Sequence, residues 1–267
     1  MGTSGAYGGS PGSNKVRDQT REWLDSGGGD GGDGRPTPPA PTPPPTDIPE
    51  GRPPIPRPTI SPALAGLIAG LGGLLAGGHG GGGGGGGGGG SGPAGGGRTA
   101  ARASTVGGRA IGGAYGARTG VAGPLAELGL DLGELSGLTR YEQARRILDA
   151  AIGPRGDVLD SELRTTNAAV VLWALTEEVE PRPVELANRW VVEYVWQVWI
   201  TETGPTLQEH AAEGQDRVRV EQEMRAALEA TVSANALPDD RGLTTADFTA
   251  AIEGALGSLR RISGSAA

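Results

Sequence analysis

The chain has 267 residues, 51 of them glycine and 21 proline, carries a net charge of −8 and contains no cysteine. A disulfide framework, a thiol nucleophile and a thiolate metal site are therefore excluded, and two isolated histidines, His79 and His210, cannot build an HExxH zinc site. The only lysine, Lys15, leaves no GxxxxGK[ST] phosphate loop and no lysine for a Schiff base in a dry pocket.

From these exclusions the chain reads as a non-enzyme, with no catalytic residue, metal or cofactor assigned. Composition divides it at Pro124. Residues 1–123 hold 40 glycines and 15 prolines with 10 basic and 7 acidic side chains; residues 124–267 hold 11 glycines and 6 prolines with 13 basic and 24 acidic. The first part is too poor in apolar side chains to offset its backbone entropy, and the second is not. The expected architecture is all-α: a helical bundle of about five helices over 124–262, behind a long, disordered Gly/Pro-rich arm. The arm subdivides into a tail with a short helix (1–26), a linker (27–97) and a basic Ala/Gly/Arg segment (98–123). An acidic domain is a poor partner for phosphate backbones, so no direct nucleic-acid binding is expected.

In chain order, "MGTSGAYGGSPGSNK" opens the sequence with neither the basic n-region nor the apolar h-region of a signal peptide. A cytoplasmic location is expected. In "NKVRDQTREWLDS" (14–26), Asn14 can cap, and Val16, Thr20, Trp23 and Leu24 share one helical face. It reads either as a frayed turn or as a docking helix anchored by Trp23. "RPTPPAPTPPPTDIPEGRPPIPRP" (35–58) is a polyproline II spacer. The apolar stretch 63–76 is too short to span a bilayer, which takes about 20 residues, and reads as a helix docked on the domain or a partner. Eleven glycines (80–90) follow His79. "RTAARASTVGGRAIGGAYGARTG" (98–120) carries Arg98, Arg102, Arg109 and Arg118 and no acid. Docking against the acidic domain or a partner fits this asymmetry better than nucleic acid, and its small residues let another backbone approach closely.

Beyond Pro124 the apolar period is helical. "LTRYEQARRILDAAIG" starts with a Thr139/Glu142 capping box and ends at Gly153, with Tyr141, Ala144, Leu148, Ala151 and Ile152 inward. A helix from about Asp160 to Glu180 points Leu163, Val171, Leu172, Leu175 and Val179 inward, and "PRP" stops it. "PVELANRWVVEYVWQVWITETG" is apolar around most of its girth, which places it at a bundle centre or an interface; any uncovered face, around Trp196 and Trp199, is a partner site. After a polar stretch around 204–214, two more helices present Val220, Met224, Ala227, Leu228 and Thr231, then Phe248, Ile252, Leu256, Leu259 and Ile262. Thr244 and Asp247 start the last one.

"MGTSGAYGGS" resembles the start of QatB proteins, subunits of bacterial Qat anti-phage defence systems, which begin Met-Gly-Thr-Ser followed by an aromatic and a Gly-Gly or Gly-Pro. The order of Pro/Gly-rich stretch, basic Ala/Gly/Arg segment and C-terminal helical domain is similar too. The resemblance implies a non-enzymatic subunit working with a QueC-like enzyme, and beside an ATPase and a TatD-like nuclease. It implies that Gly2 is the site at which the QueC-like partner attaches a deazaguanine, with Thr3, Ser4, Tyr7, Gly8 and Gly9 read by that enzyme. Trp23, Trp196 and Trp199 are the other candidate partner contacts; no membrane is expected among the partners. The competing expectation is a structural scaffold, a low-complexity spacer on a helical head, left unmodified.

Overall fold

The computed structural model describes residues 11–25, 61–75, 96–153, 158–210, 214–232, 237 and 242–265, and among them the fold is all-α with no strand. Ten helices succeed one another: α1 (Pro11–Asp25), α2 (Pro62–Leu75), α3 (Gly96–Thr119), α4 (Ala122–Glu127), α5 (Leu132–Ser136), α6 (Arg140–Ile152), α7 (Val158–Thr176), α8 (Pro183–His210), α9 (Gly214–Thr231) and α10 (Thr245–Ser265). The five longer helices expected after residue 124 are α6 to α10. Much of the expected linker, 27–60 and 76–95, lies outside the described residues.

The packed core extends N-terminal of residue 124. Helix α3 is enclosed by α10, α7, α6 and α8, and α2 lies along α10 and α1. Ala103, Ala110, Ile111 and Ala114 of α3 are fully buried, as are Leu67 and Leu71 of α2. Residues 11–25 form a helix docked on this chain's own bundle, α1 lying on α2 and α8 with Val16 and Thr20 buried, while the Trp23 side chain, the expected anchor for a partner, lies outside the described residues. The frayed turn is corrected, because Val16 finds an apolar surface on the bundle that an isolated peptide lacks.

Local chemistry explains the helix starts. Ser61 precedes Pro62, its Oγ accepting from Leu64 N (3.2 Å), and proline at the first helical position loses no needed donor. The Thr139/Glu142 box forms as expected, and Gly153 closes α6 at φ 83°, a conformation that favours glycine. Thr244 and Asp247 make the equivalent exchange at α10. There the Glu127 carboxylate, from the end of α4, also accepts from Thr245 N (3.0 Å) and Oγ1 (2.5 Å).

Several inward assignments are corrected. Tyr141 is 72% and Val179 76% exposed, while Ile152, Leu172 and Thr231 are only partly buried, and the side chain of Ile262 lies outside the described residues. Helix α7 stops at Thr176, before Val179, and just past its end Arg118 Nη2 donates to the carbonyls of Glu177 and Glu178 at 2.6 and 3.3 Å. Helix α8 runs on through Gly204 and Pro205 to His210, where a polar break was expected. An interior proline costs about 3 kcal/mol, and the full burial of Leu207 two residues on is an apolar contribution against that cost.

Candidate partner-binding surfaces

The tail residues Gly2, Thr3, Ser4, Tyr7, Gly8 and Gly9 lie outside the described residues. Pro11 begins α1, and the seating of that helix fixes where the tail is attached. On α1, Arg17 donates from Nε to the Glu202 carbonyl of α8 (2.8 Å), and its Nη2 lies 3.7 Å from the Glu202 carboxylate. Trp23 is on α1, but its side chain lies outside the described residues. The tail is thus tethered to a helix seated against the C-terminal half of α8.

Helix α8 holds the large aromatics in two environments. Trp190, Trp199 and Tyr194 are buried, the first two completely. Trp190 stacks on Tyr194 (5.0 Å between centroids) and donates from Nε1 to Asn167 Oδ1 on α7 (2.8 Å). Asn167 in turn donates to Leu163 O (2.6 Å), so the polar atoms that accompany this ring into the core are paired. Trp199 as a direct partner contact is corrected: it is enclosed, and a ring with no exposed surface has nothing to offer another chain. Trp196 is half-buried, tilted against Trp199 at 5.1 Å, and keeps an outer edge.

That edge belongs to a ladder that no sequence motif announced. The Arg189 guanidinium lies 4.5 Å from the centre of the Trp173 ring of α7, and that of Arg225, from α9, 5.9 Å from Trp196. Glu193 sits between the two arginines, in a salt bridge to Arg225 and 3.9 Å from Arg189. The spacing of 189, 193 and 196 on α8 was the available signal, since residues three and four apart share a face. Arg and Trp are the side chains most enriched at binding hot spots, and this ladder sets both at the meeting of three helices.

Two of the four arginines of the basic segment, Arg109 and Arg118, reach backbone carbonyls of the bundle. Arg109 Nη2 donates to Ala150 O near the end of α6 (3.0 Å), and Arg118 holds the end of α7. Cations at helix C-termini meet the negative end of the dipole and unpaired carbonyls. The segment thus docks within the chain, one of the two places expected, through backbone carbonyls rather than acidic side chains.

A recess of about 490 Å³ opens between α5 and α6, with Ala117 and Leu135 among its apolar lining and Thr139 and Arg140 among the polar. Its amide, Gln143 Nε2, already bonds Leu135 O and Leu138 O (2.9 and 3.2 Å), so it fastens α5 to α6 rather than awaiting a ligand. The displaced carboxyl pKa values have the same structural origin. Glu142 is lowered by the Thr139 hydroxyl and then its backbone N–H, Asp247 likewise by Thr244, and Glu185 by the Arg182 backbone N–H and then its side chain.

Among the described residues no three His, Cys, Asp or Glu are grouped to hold a metal ion, and no helix is long and apolar enough to cross a membrane. No protein-family model, curated protein or solved structure matches the chain.

Proposed function

We propose that this chain is a non-catalytic subunit of QatB type in a bacterial anti-phage system, and that Gly2 is its point of modification. The mature chain then begins at Gly2, whose small side permits removal of Met1. The α-amine, with an ordinary pKa of about 7.7–8.0, is partly neutral at neutral pH and is the nucleophile. It attacks the activated carboxyl carbon of a deazaguanine carried by a QueC-like partner. An amide C–N bond forms, the bond to the activating group breaks, and one amine proton is released. This chain contributes the nucleophile and the docking surface, and the partner contributes the catalysis.

The observation that supports this reading, beside the "MGTSGAYGGS" tail, is the seating of α1. Gly2 is nine residues before Pro11, hence within about 32 Å of it however extended the tail is. Arg17 of α1 meets Glu202, which is six residues, or about 9 Å of helix rise, from Trp196 on α8. One partner can therefore engage the tail and the Trp196–Arg225 edge together, so that the docked surface raises the concentration of Gly2 at the partner's site. The test is mass spectrometry of the N-terminal peptide from cells expressing the chain with a QueC-like partner. A nucleobase-sized adduct on Gly2 that disappears in Gly2→Val supports the proposal. Unmodified Gly2 beside an active partner overturns it and leaves the scaffold reading.

A further inference from the structure

We infer that the tip of the α7–α8 hairpin is a self-association surface, by which two copies of this chain pair about a two-fold axis. Each copy sets its loop 177–180 on the Trp173–Arg189 end of the other's ladder. The loop reads Glu177, Glu178, Val179, Glu180, and all four side chains are exposed, Val179 by 76%. Among the described residues no ion pair engages its three carboxylates. The following cation, Arg182, is bound to Glu185 at 2.6 Å. Arg118 holds the carbonyls of Glu177 and Glu178, and Pro181 and Pro183 are buried, so the loop is fixed in place. An apolar side chain presented in this way loses little freedom on docking, and the carboxylates around it call for a cationic, apolar counterpart.

The same hairpin carries that counterpart. Trp173 is half-buried, and the Arg189 guanidinium 4.5 Å from its ring centre belongs to a side chain that is 41% exposed. The carboxylate beside it, Glu193, stands 3.9 Å away, beyond hydrogen-bond reach, and is committed to Arg225. One carboxylate thus serves two guanidinium groups, and a second one at Arg189 balances them. Another copy brings Glu178 or Glu180 to that guanidinium and Val179 to the ring next to it. Trp173 lies three residues before the end of α7 and Arg189 six after the start of α8, which puts them about 5–9 Å from the loop along the hairpin. Because loop and counterpart share one tip, a two-fold axis between them makes both contacts at once, and the assembly closes at two. Trp196 lies seven residues, or about 10 Å of rise, further along α8, so the pairing leaves the Trp196–Arg225 edge outside the contact. The inference goes beyond the proposed modification and does not rest on it.

Sedimentation velocity of the full chain on its own, over about 1–300 μM, tests it. The chain should pass reversibly from monomer to dimer and no further. Val179→Asp, at an exposed site, should weaken the dimer at least about tenfold. Glu178→Arg/Glu180→Arg and Arg189→Glu should each do the same alone, because each sets like charges against one another. Their equimolar mixture should pair to within about threefold of the parent chain, since every contact in the mixed dimer again joins opposite charges. Thermal melts check that each variant is folded, and if Arg189→Glu is not, Val179→Asp decides alone. A chain that stays monomeric at about 300 μM, assembles beyond a dimer, or dimerises equally well with Val179→Asp overturns the inference. So does a mixture of two folded variants that fails to pair. No partner enzyme and no chemistry at Gly2 enters this experiment, so the pairing and the modification can fail separately.

Discussion

Helices α3 and α8 both pass through the core, and they do so by opposite means. Helix α8 brings Trp190, Tyr194 and Trp199; α3 brings Gly107, Gly108, Gly112, Gly113 and Gly116. The two fit because the glycines of one leave room for the rings and backbone that close on it. A Cβ on Gly107 would run into the Trp190 ring, and one on Gly108 would stand 2.6 Å from the backbone N of Thr249 in α10. Apolar richness is thus one way of belonging to an interior; the other is to be thin enough for neighbours to reach the backbone itself. A segment of low hydrophobicity can be a structural centre when large side chains surround it.

This contrast can be broken at either end. The largest losses should come from removal of the rings. Trp190→Ala and Trp199→Ala should each cost about 3–5 kcal/mol in urea unfolding, the former also leaving Asn167 Oδ1 unpaired. Trp196→Ala, at a half-buried site, should cost clearly less and should weaken recovery of a QueC-like partner; an equal loss of stability at 196 and 199 would reverse their assignments.

Filling α3 comes next. Gly108→Ala should cost about 1–3 kcal/mol, because a backbone rather than a side-chain tip stands in the way. Gly107→Ala should be similarly harmful alone and much less so in a Trp190→Ala background, with a coupling of about 0.5–3 kcal/mol. Additive losses in that cycle would mean that the ring and the glycine do not share the space. Gly66→Ala is the opposite case: α2 has open space there, and the added methyl should stabilise by about 0.5–1 kcal/mol in thermal melts.

The smallest effect is on pH dependence. Glu142 and Glu185 titrate below their ordinary 4.5 and Asp247 below its ordinary 3.8, so each stabilises the fold above those values and ceases to as pH falls through the lowered pKa. The gap in melting temperature between the parent chain and Glu142→Gln should therefore be present at pH 7 and close below about pH 4. A gap that widens on acidification would contradict the cap.

Much of this was legible in the sequence, and the reasons differ by element. The capping boxes at Thr139 and Thr244 and the stripe Phe248, Ile252, Leu256 and Leu259 were readable because each depends on residues a turn apart. The enclosure of α3 was only half readable. Its small residues and arginines indicated docking, but which rings would close over Gly107 depends on residues about 80 positions away. Tyr141 and Val179 were assigned inward because helical spacing fixes a face and not where its edge meets water. The Trp173–Arg189–Glu193–Arg225–Trp196 ladder joins three helices, and only their packing brings it together. Trp199 was misjudged as a contact because an aromatic run looks alike whether a partner or the chain's own bundle covers it.

The glycines of α3 also bear on the order of events during synthesis. Each interior glycine weakens an isolated helix by roughly 0.5–1 kcal/mol relative to alanine, so five of them leave α3 with little tendency to form before its neighbours exist. Those neighbours lie later in the chain. At roughly 5–20 residues per second, the 126 residues from the end of α3 to the start of α10 take roughly 6–25 s to make. Throughout that interval α3 has no complete socket, and its small residues stay open to solvent on an unfinished chain. The bundle can therefore close around α3 only after α10 has been made, whatever the state of the helices between them.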